Sequence, residues 1–70
     1  MKTGYGVPLS ALSTAIDEYV PHERNRNILK RKLIDDITFE KIAEEYELSV
    51  RQVKYIVYDY KEFIIQMAKR

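Results

Sequence analysis

The chain has no cysteine, no tryptophan, one histidine, two glycines and two prolines among 70 residues. The missing cysteines rule out a disulfide framework, and a single histidine leaves no cysteine and histidine set for a structural zinc, so side-chain packing has to hold the fold. Catalytic signatures are equally scarce. His22 stands alone at an expected helix start, with no serine-nucleophile signature and no glycine-rich phosphate loop in the chain. The paired acids Asp35 and Asp36 fall at a helix end, where carboxylates are ordinarily solvated. A protein that is not an enzyme and needs no cofactor or metal is expected. No apolar run reaches the length of a membrane span, and the start Met-Lys-Thr-Gly-Tyr-Gly lacks the apolar stretch of a signal peptide. Together with the absent cysteines, this predicts a cytoplasmic protein with no membrane partner.

A chain of this length is expected to form one domain over residues 1–70, burying only about 60 % of the surface its unfolded form exposes. A third of its residues are charged, yet the net charge is +1. The distribution is more informative than the sum. Between Arg24 and Lys32 lie five bases, Arg24, Arg26, Lys30, Arg31 and Lys32, and no acid. From Asp35 to Glu47 six acids face one base, Lys41, before Arg51, Lys54 and Lys61 restore positive charge. Such segregation predicts an electrically two-sided molecule, and local potential steers the encounter with phosphates more than total charge does.

Apolar spacing predicts an all-α, four-helix architecture. Residues 1–7 hold both glycines and are expected to form a flexible N-terminus. Leu9, Leu12, Ile16, Tyr19 and Val20 then recur at helical spacing, with Pro8 or Ser10 near the start. Pro21 ends this helix by biasing Val20 toward extended geometry, and its ring suits the first turn of a second helix reaching Asp35. Ile28, Leu29, Leu33 and Ile34 form the inward face of that second helix.

From Thr38 to Tyr58 the pattern sharpens into two short helices about a three-residue turn. Thr38 is a good N-cap for a helix over Phe39–Tyr46, with Ile37 and Ile42 at staple positions. Ser49 and Gln52 have the spacing of a capping box, with Leu48 and Val53 as the accompanying staple, which places the start of the fourth helix at Ser49. Ile42, Tyr46, Leu48, Val53 and Ile56 fall where two steeply crossing helices bury side chains against each other, and Ala43 leaves room for close approach. This is the layout of a DNA-reading helix-turn-helix with its core over residues 38–58. No glycine or proline follows Ser49, so the last helix is expected to run on toward Met67. Its later apolar residues Tyr60, Phe63, Ile64 and Met67 need a partner. The first helix, through Leu12 and Ile16, is favoured over a second copy of the chain in a homodimer.

The stretch Arg24–Tyr60 resembles region four of bacterial sigma factors, about half of the chain. The resemblance rests on Glu-Arg-Asn-Arg-Asn-Ile-Leu-Lys-Arg-Lys-Leu, on Thr-Phe-Glu-Lys-Ile-Ala-Glu-Glu-Tyr, and most closely on Leu-Ser-Val-Arg-Gln-Val-Lys. Where that family often has a glycine in the turn, this chain has Glu47, which implies modest backbone strain or a different turn. The length leaves no room for the part of a sigma factor that grips polymerase and the downstream promoter element. The resemblance therefore implies a stand-alone region-four-like module, akin to small regulators from phages or mobile elements or to a phage packaging protein of the same fold.

Double-stranded DNA is then the expected partner, with transcription regulation the expected setting. A helix entering the major groove reads bases with its first turns, which makes Arg51, Gln52, Lys54, Tyr55 and Tyr58 the candidates. Arg51 comes first, because arginine donates two bonds to guanine. Ser49 and Gln52 share this candidacy with a capping role. Tyr55 and Tyr58 suit a phosphate or a thymine methyl group, and equally suit covering a core. Thr38, with the backbone amides opening the third helix, suits a phosphate. Arg24, Arg26 and Arg31 are expected backbone clamps, with Lys30 and Lys32 behind them. The competing expectation is a protein-binding module that docks on RNA polymerase or another regulator through Glu40, Glu44 and Glu45 and the C-terminal apolar seam.

Overall fold

A computed structural model of the chain describes residues 5–69. Four helices follow one another: α1 (Leu9–Tyr19), α2 (Glu23–Leu33), α3 (Phe39–Tyr46) and α4 (Val50–Ala68). The described residues contain no strand. At 1.5 Å per residue the 19 residues of α4 span about 28 Å. That is nearly the whole of the 33 Å long axis, so α4 is the rod against which the other three helices pack.

The core is aliphatic. Leu12 and Ile16 of α1, Ile28 and Leu29 of α2, Ile42 of α3, and Val53, Val57 and Ile64 of α4 are buried essentially completely. Each buried Leu or Ile contributes about 1.5–3 kcal/mol of transfer free energy. Among the described residues no polar side chain is buried and no buried polar atom lacks a partner, so the interior carries no desolvation penalty. Ile34, expected inside, is half-buried at the end of α2.

The far half of α4 finds its cover within the chain. Ile64 is buried, and Phe63 meets Tyr19 edge to face with ring centroids 5.4 Å apart. Within the seam Ile64 is thus covered by the chain itself and Phe63 meets α1, while Phe63 stays 43 % exposed and Tyr60 and Met67 half-buried. Of the segment expected to be flexible, residues 1–4 lie outside the described residues, whereas Val7 is buried and Tyr5 packs against the core with the Lys61 ammonium over its ring. Between these two apolar side chains Gly6 takes φ +80° in open space.

The start of α2 differs from expectation as well. Pro21 and His22 stay outside the helix, and His22 is the extended N-cap residue at φ −89°, ψ 121°. Arg26 supplies the reason, since its Nη1 donates to the carbonyls of Val20 at 2.9 Å and Pro21 at 3.0 Å. The guanidinium holds both carbonyls away from helical pairing, so the turn between α1 and α2 is built from a side chain one turn into the next helix.

Candidate nucleic-acid interface

The α3–α4 junction is specified almost residue by residue. Thr38 is extended, and its Oγ1 accepts from the Lys41 amide at 3.2 Å, capping α3. At the other end of α3, Glu47 adopts a left-handed conformation (φ 56°, ψ 40°). The Leu48 amide then reaches the Ala43 carbonyl at 2.9 Å while the Glu47 amide turns to Glu44 at 3.4 Å. That pair of bonds is a Schellman termination, which glycine usually supplies. Ser49 closes a complete capping box, its Oγ accepting from the Gln52 amide at 3.1 Å while Gln52 Oε1 accepts from the Ser49 amide at 2.9 Å. Ser49 and Gln52 are therefore occupied structurally, as their spacing foretold. With Glu47, Leu48 and Ser49 fixed, the direction in which α4 leaves α3 is fixed too.

That direction turns one face of α4 outward. Arg51, Lys54, Tyr55 and Tyr58 are all exposed on its first half, Tyr55 at 74 % and Tyr58 at 58 %. The Tyr55 ring, with three-quarters of its surface in solvent, contributes little to the fold. On the same face the acids Asp59 and Glu62 follow, so the cationic and aromatic stretch ends after Tyr58.

Arg24 reaches this face from α2. With Arg51, Gln52 and Tyr55 it borders an open groove of about 440 Å³ whose floor includes Leu48 and Ile56. The opposite flank of α4 holds a second group. The Phe39 ring lies 5.8 Å from that of Tyr58 at 67°, and two ammonium groups stand over it, Lys32 at 4.4 Å and Lys54 at 5.6 Å. Lys32 also donates to the Ile37 carbonyl at 3.2 Å. Lys32 belongs to the basic cluster read from the sequence, whereas Phe39 is the member of this site that the sequence reading did not single out. Its only signal is an aromatic residue at the first position of α3, one residue after its cap.

Other expected contacts are spent inside the molecule. Arg26 is bonded to the α1–α2 turn. Arg31 donates through Nε to Glu45 at 3.1 Å, pairs with the same carboxylate through Nη2, and lies 3.7 Å from Asp35. The hydrogen bond to Glu45 is the main reason the Arg31 pKa lies above its ordinary value; partial desolvation opposes it, and the charges of Glu45 and Asp35 add to it. Lys30 pairs with Asp17 of α1 at 2.6 Å. The segregated charges of α2 and α3 thus partly neutralise each other across the helix interface. Arg24, Arg51, Lys54 and Lys32, by contrast, make no ion pair with an acid among the described residues.

Among the described residues no helix is long and apolar enough to cross a membrane. Comparison of the chain with protein-family models, with curated proteins and with solved structures finds no match.

Proposed function

We propose that the protein binds double-stranded DNA sequence-specifically, with the first half of α4 in the major groove, as a stand-alone helix-turn-helix regulator of transcription similar to sigma factor region four. The observation that carries this reading is the exposed face of Arg51, Lys54, Tyr55 and Tyr58 on a helix start fixed by a complete capping box. A major groove admits one helix and offers guanine N7 and O6 to an arginine and thymine methyl groups to aromatic edges. The α3–α4 turn, with left-handed Glu47 in the place of the family's glycine, supports the same reading. So does the position of Arg24, which joins α4's exposed face from another helix. Arg51 is the base reader in this scheme, while Tyr55 and Tyr58 fit against the groove wall. Arg26 and Arg31 hold the scaffold, and Asp59 and Glu62 limit how far along α4 the nucleic acid extends.

Selection of bound duplexes from a randomised pool at near-physiological salt tests this directly, with an enriched motif as the expected outcome. On that motif, Arg51→Ala should cost about 1–3 kcal/mol and relax preference at one base pair. Weak binding that is salt-sensitive but enriches no sequence would refute sequence reading. An equal loss from Arg51→Ala on every sequence would remove Arg51 from that role.

A further inference from the structure

Three of the cations without an acid partner among the described residues, Arg24, Lys32 and Lys54, form two groups on opposite flanks of α4, and one helix, α2, contributes to both. Arg24, near the start of α2, borders the groove with Gln52 and Tyr55. Lys32, near its end, sits with Lys54 over Phe39. At 100° per residue, Gln52 and Lys54 stand about 160° apart around α4, with Arg51 between them on the exposed side. The middle of α2, Ile28 and Leu29, is fully buried in the core. Thus α2 crosses behind the first half of α4, and its two ends carry charge around either side.

We infer that Arg24 on one flank and the Lys32–Lys54 pair on the other hold phosphates of the two opposite strands that border a single major groove, with α2 as the crosspiece that sets their separation. The inference rests on the duplex-binding reading above and adds which backbone each cation holds. Arg24 and Lys32 are eight residues apart, about 12 Å along the helix axis. The major groove of B-form DNA is about 12 Å wide. Elsewhere on α2, Lys30 and Arg31 pair with Asp17 and Glu45 and Arg26 is bonded to the Val20 and Pro21 carbonyls, so the cations that the helix leaves open to phosphates are Arg24 and Lys32, near its two ends. Phe39 acts as a positioning residue. Two like charges converge on its ring with no acid paired to either, an arrangement whose repulsion a phosphate relieves.

Phosphate-ethylation interference on a duplex recovered from the selection tests the assignment, using the full chain and the variants Arg24→Gln, Lys32→Gln and Lys54→Gln. For the unaltered protein, interference is expected on both strands flanking the bases read by α4. Arg24→Gln should erase it on one strand, and either lysine substitution should erase it on the other. Each variant should also flatten the slope of log K against log salt concentration by about 0.9 for every phosphate it no longer holds. Circular dichroism checks folding; should Lys32→Gln unfold, Lys54→Gln on the exposed side of α4 reads the same strand. Duplex binding with interference on one strand only, or with Arg24→Gln and Lys54→Gln acting on the same strand, overturns the two-strand clamp and leaves duplex binding standing. Binding of the corresponding single strand as tightly as the duplex, or no duplex binding at all, overturns both.

Discussion

Replacing Glu47 by glycine should stabilise the protein, even though glycine ordinarily weakens a fold. Glu47 sits at φ 56°, ψ 40°, a left-handed conformation that costs an L-residue about 1–2 kcal/mol through the crowding of Cβ. Its side chain is exposed and makes no ion pair among the described residues, so little packing is lost with it. Against the relief stands the greater backbone freedom of glycine in the unfolded chain, about 0.5–1 kcal/mol. The net gain is about 0.5–1 kcal/mol, and in a domain of this size 1 kcal/mol moves Tm by about 4–8 °C. An upward shift of roughly 2–8 °C is therefore expected in a thermal melt followed by circular dichroism. A second contribution has to be separated from this one. Glu47 follows Glu44 and Glu45 at the carboxyl end of α3, where an acid is disfavoured by the helix dipole. Glu47→Gln removes the charge and keeps the strained backbone, and at so exposed a position it should recover only a few tenths of a kcal/mol. Asp36 shares φ 56°. It should gain less from glycine, because a short polar side chain tolerates the left-handed region better. If Glu47→Gly melts no higher than Glu47→Gln, or lower than the unaltered protein, backbone strain at this turn is refuted.

Three further substitutions probe other parts of the molecule. Ile64→Ala opens a cavity where α1 closes over α4 and should cost about 2–5 kcal/mol, a large share of the stability of so small a domain, read as a lowered denaturant midpoint. A change below about 1 kcal/mol would show that the far half of α4 is not part of the core. Arg26→Ala frees the Val20 and Pro21 carbonyls and should cost about 1–2 kcal/mol of stability. It should leave the salt dependence of duplex binding unaltered, and a flattened slope would instead make Arg26 a phosphate ligand. Ser49→Ala should cost about 1 kcal/mol and speed hydrogen exchange at the Gln52 amide, which loses its acceptor. Unaltered exchange there would mean that the capping box does not govern the start of α4.

What the sequence conveys about this fold is whatever local chemistry writes down. Thr38 and Ser49 mark the starts of α3 and α4 because a hydroxyl at an N-cap bonds an amide three residues on, an interaction confined to one turn. The four-helix content follows from apolar spacing in the same way. The true start of α2 is not legible, because Arg26, five and six residues downstream, holds the carbonyls that proline geometry alone would let into the helix. Nor is the burial of Val7, since a lone valine beside glycines has no periodicity to betray it. The candidate interface divides along the same line. Arg51, Lys54, Tyr55 and Tyr58 are legible as the outward side of one helix. The commitment of Arg31 to Glu45, and the meeting of Lys32, Lys54 and Tyr58 on Phe39, join separate helices, and no pattern along a single helix encodes them.

None of the eight aromatic residues is fully buried, and the interior is built of alanine, valine, leucine and isoleucine alone. This partition has an optical consequence. With no tryptophan in the chain, ultraviolet emission comes from six tyrosines, of which Tyr55 and Tyr58 stand furthest into solvent at the candidate interface. Fluorescence will therefore report poorly on the interior during unfolding and well on whatever settles over α4. Bases stacking on or hydrogen-bonding to those two phenols should quench a measurable part of the signal, and Tyr55→Phe with Tyr58→Phe should remove that part. The chain carries its own unlabelled titration probe, placed on the surface where occupancy is to be read.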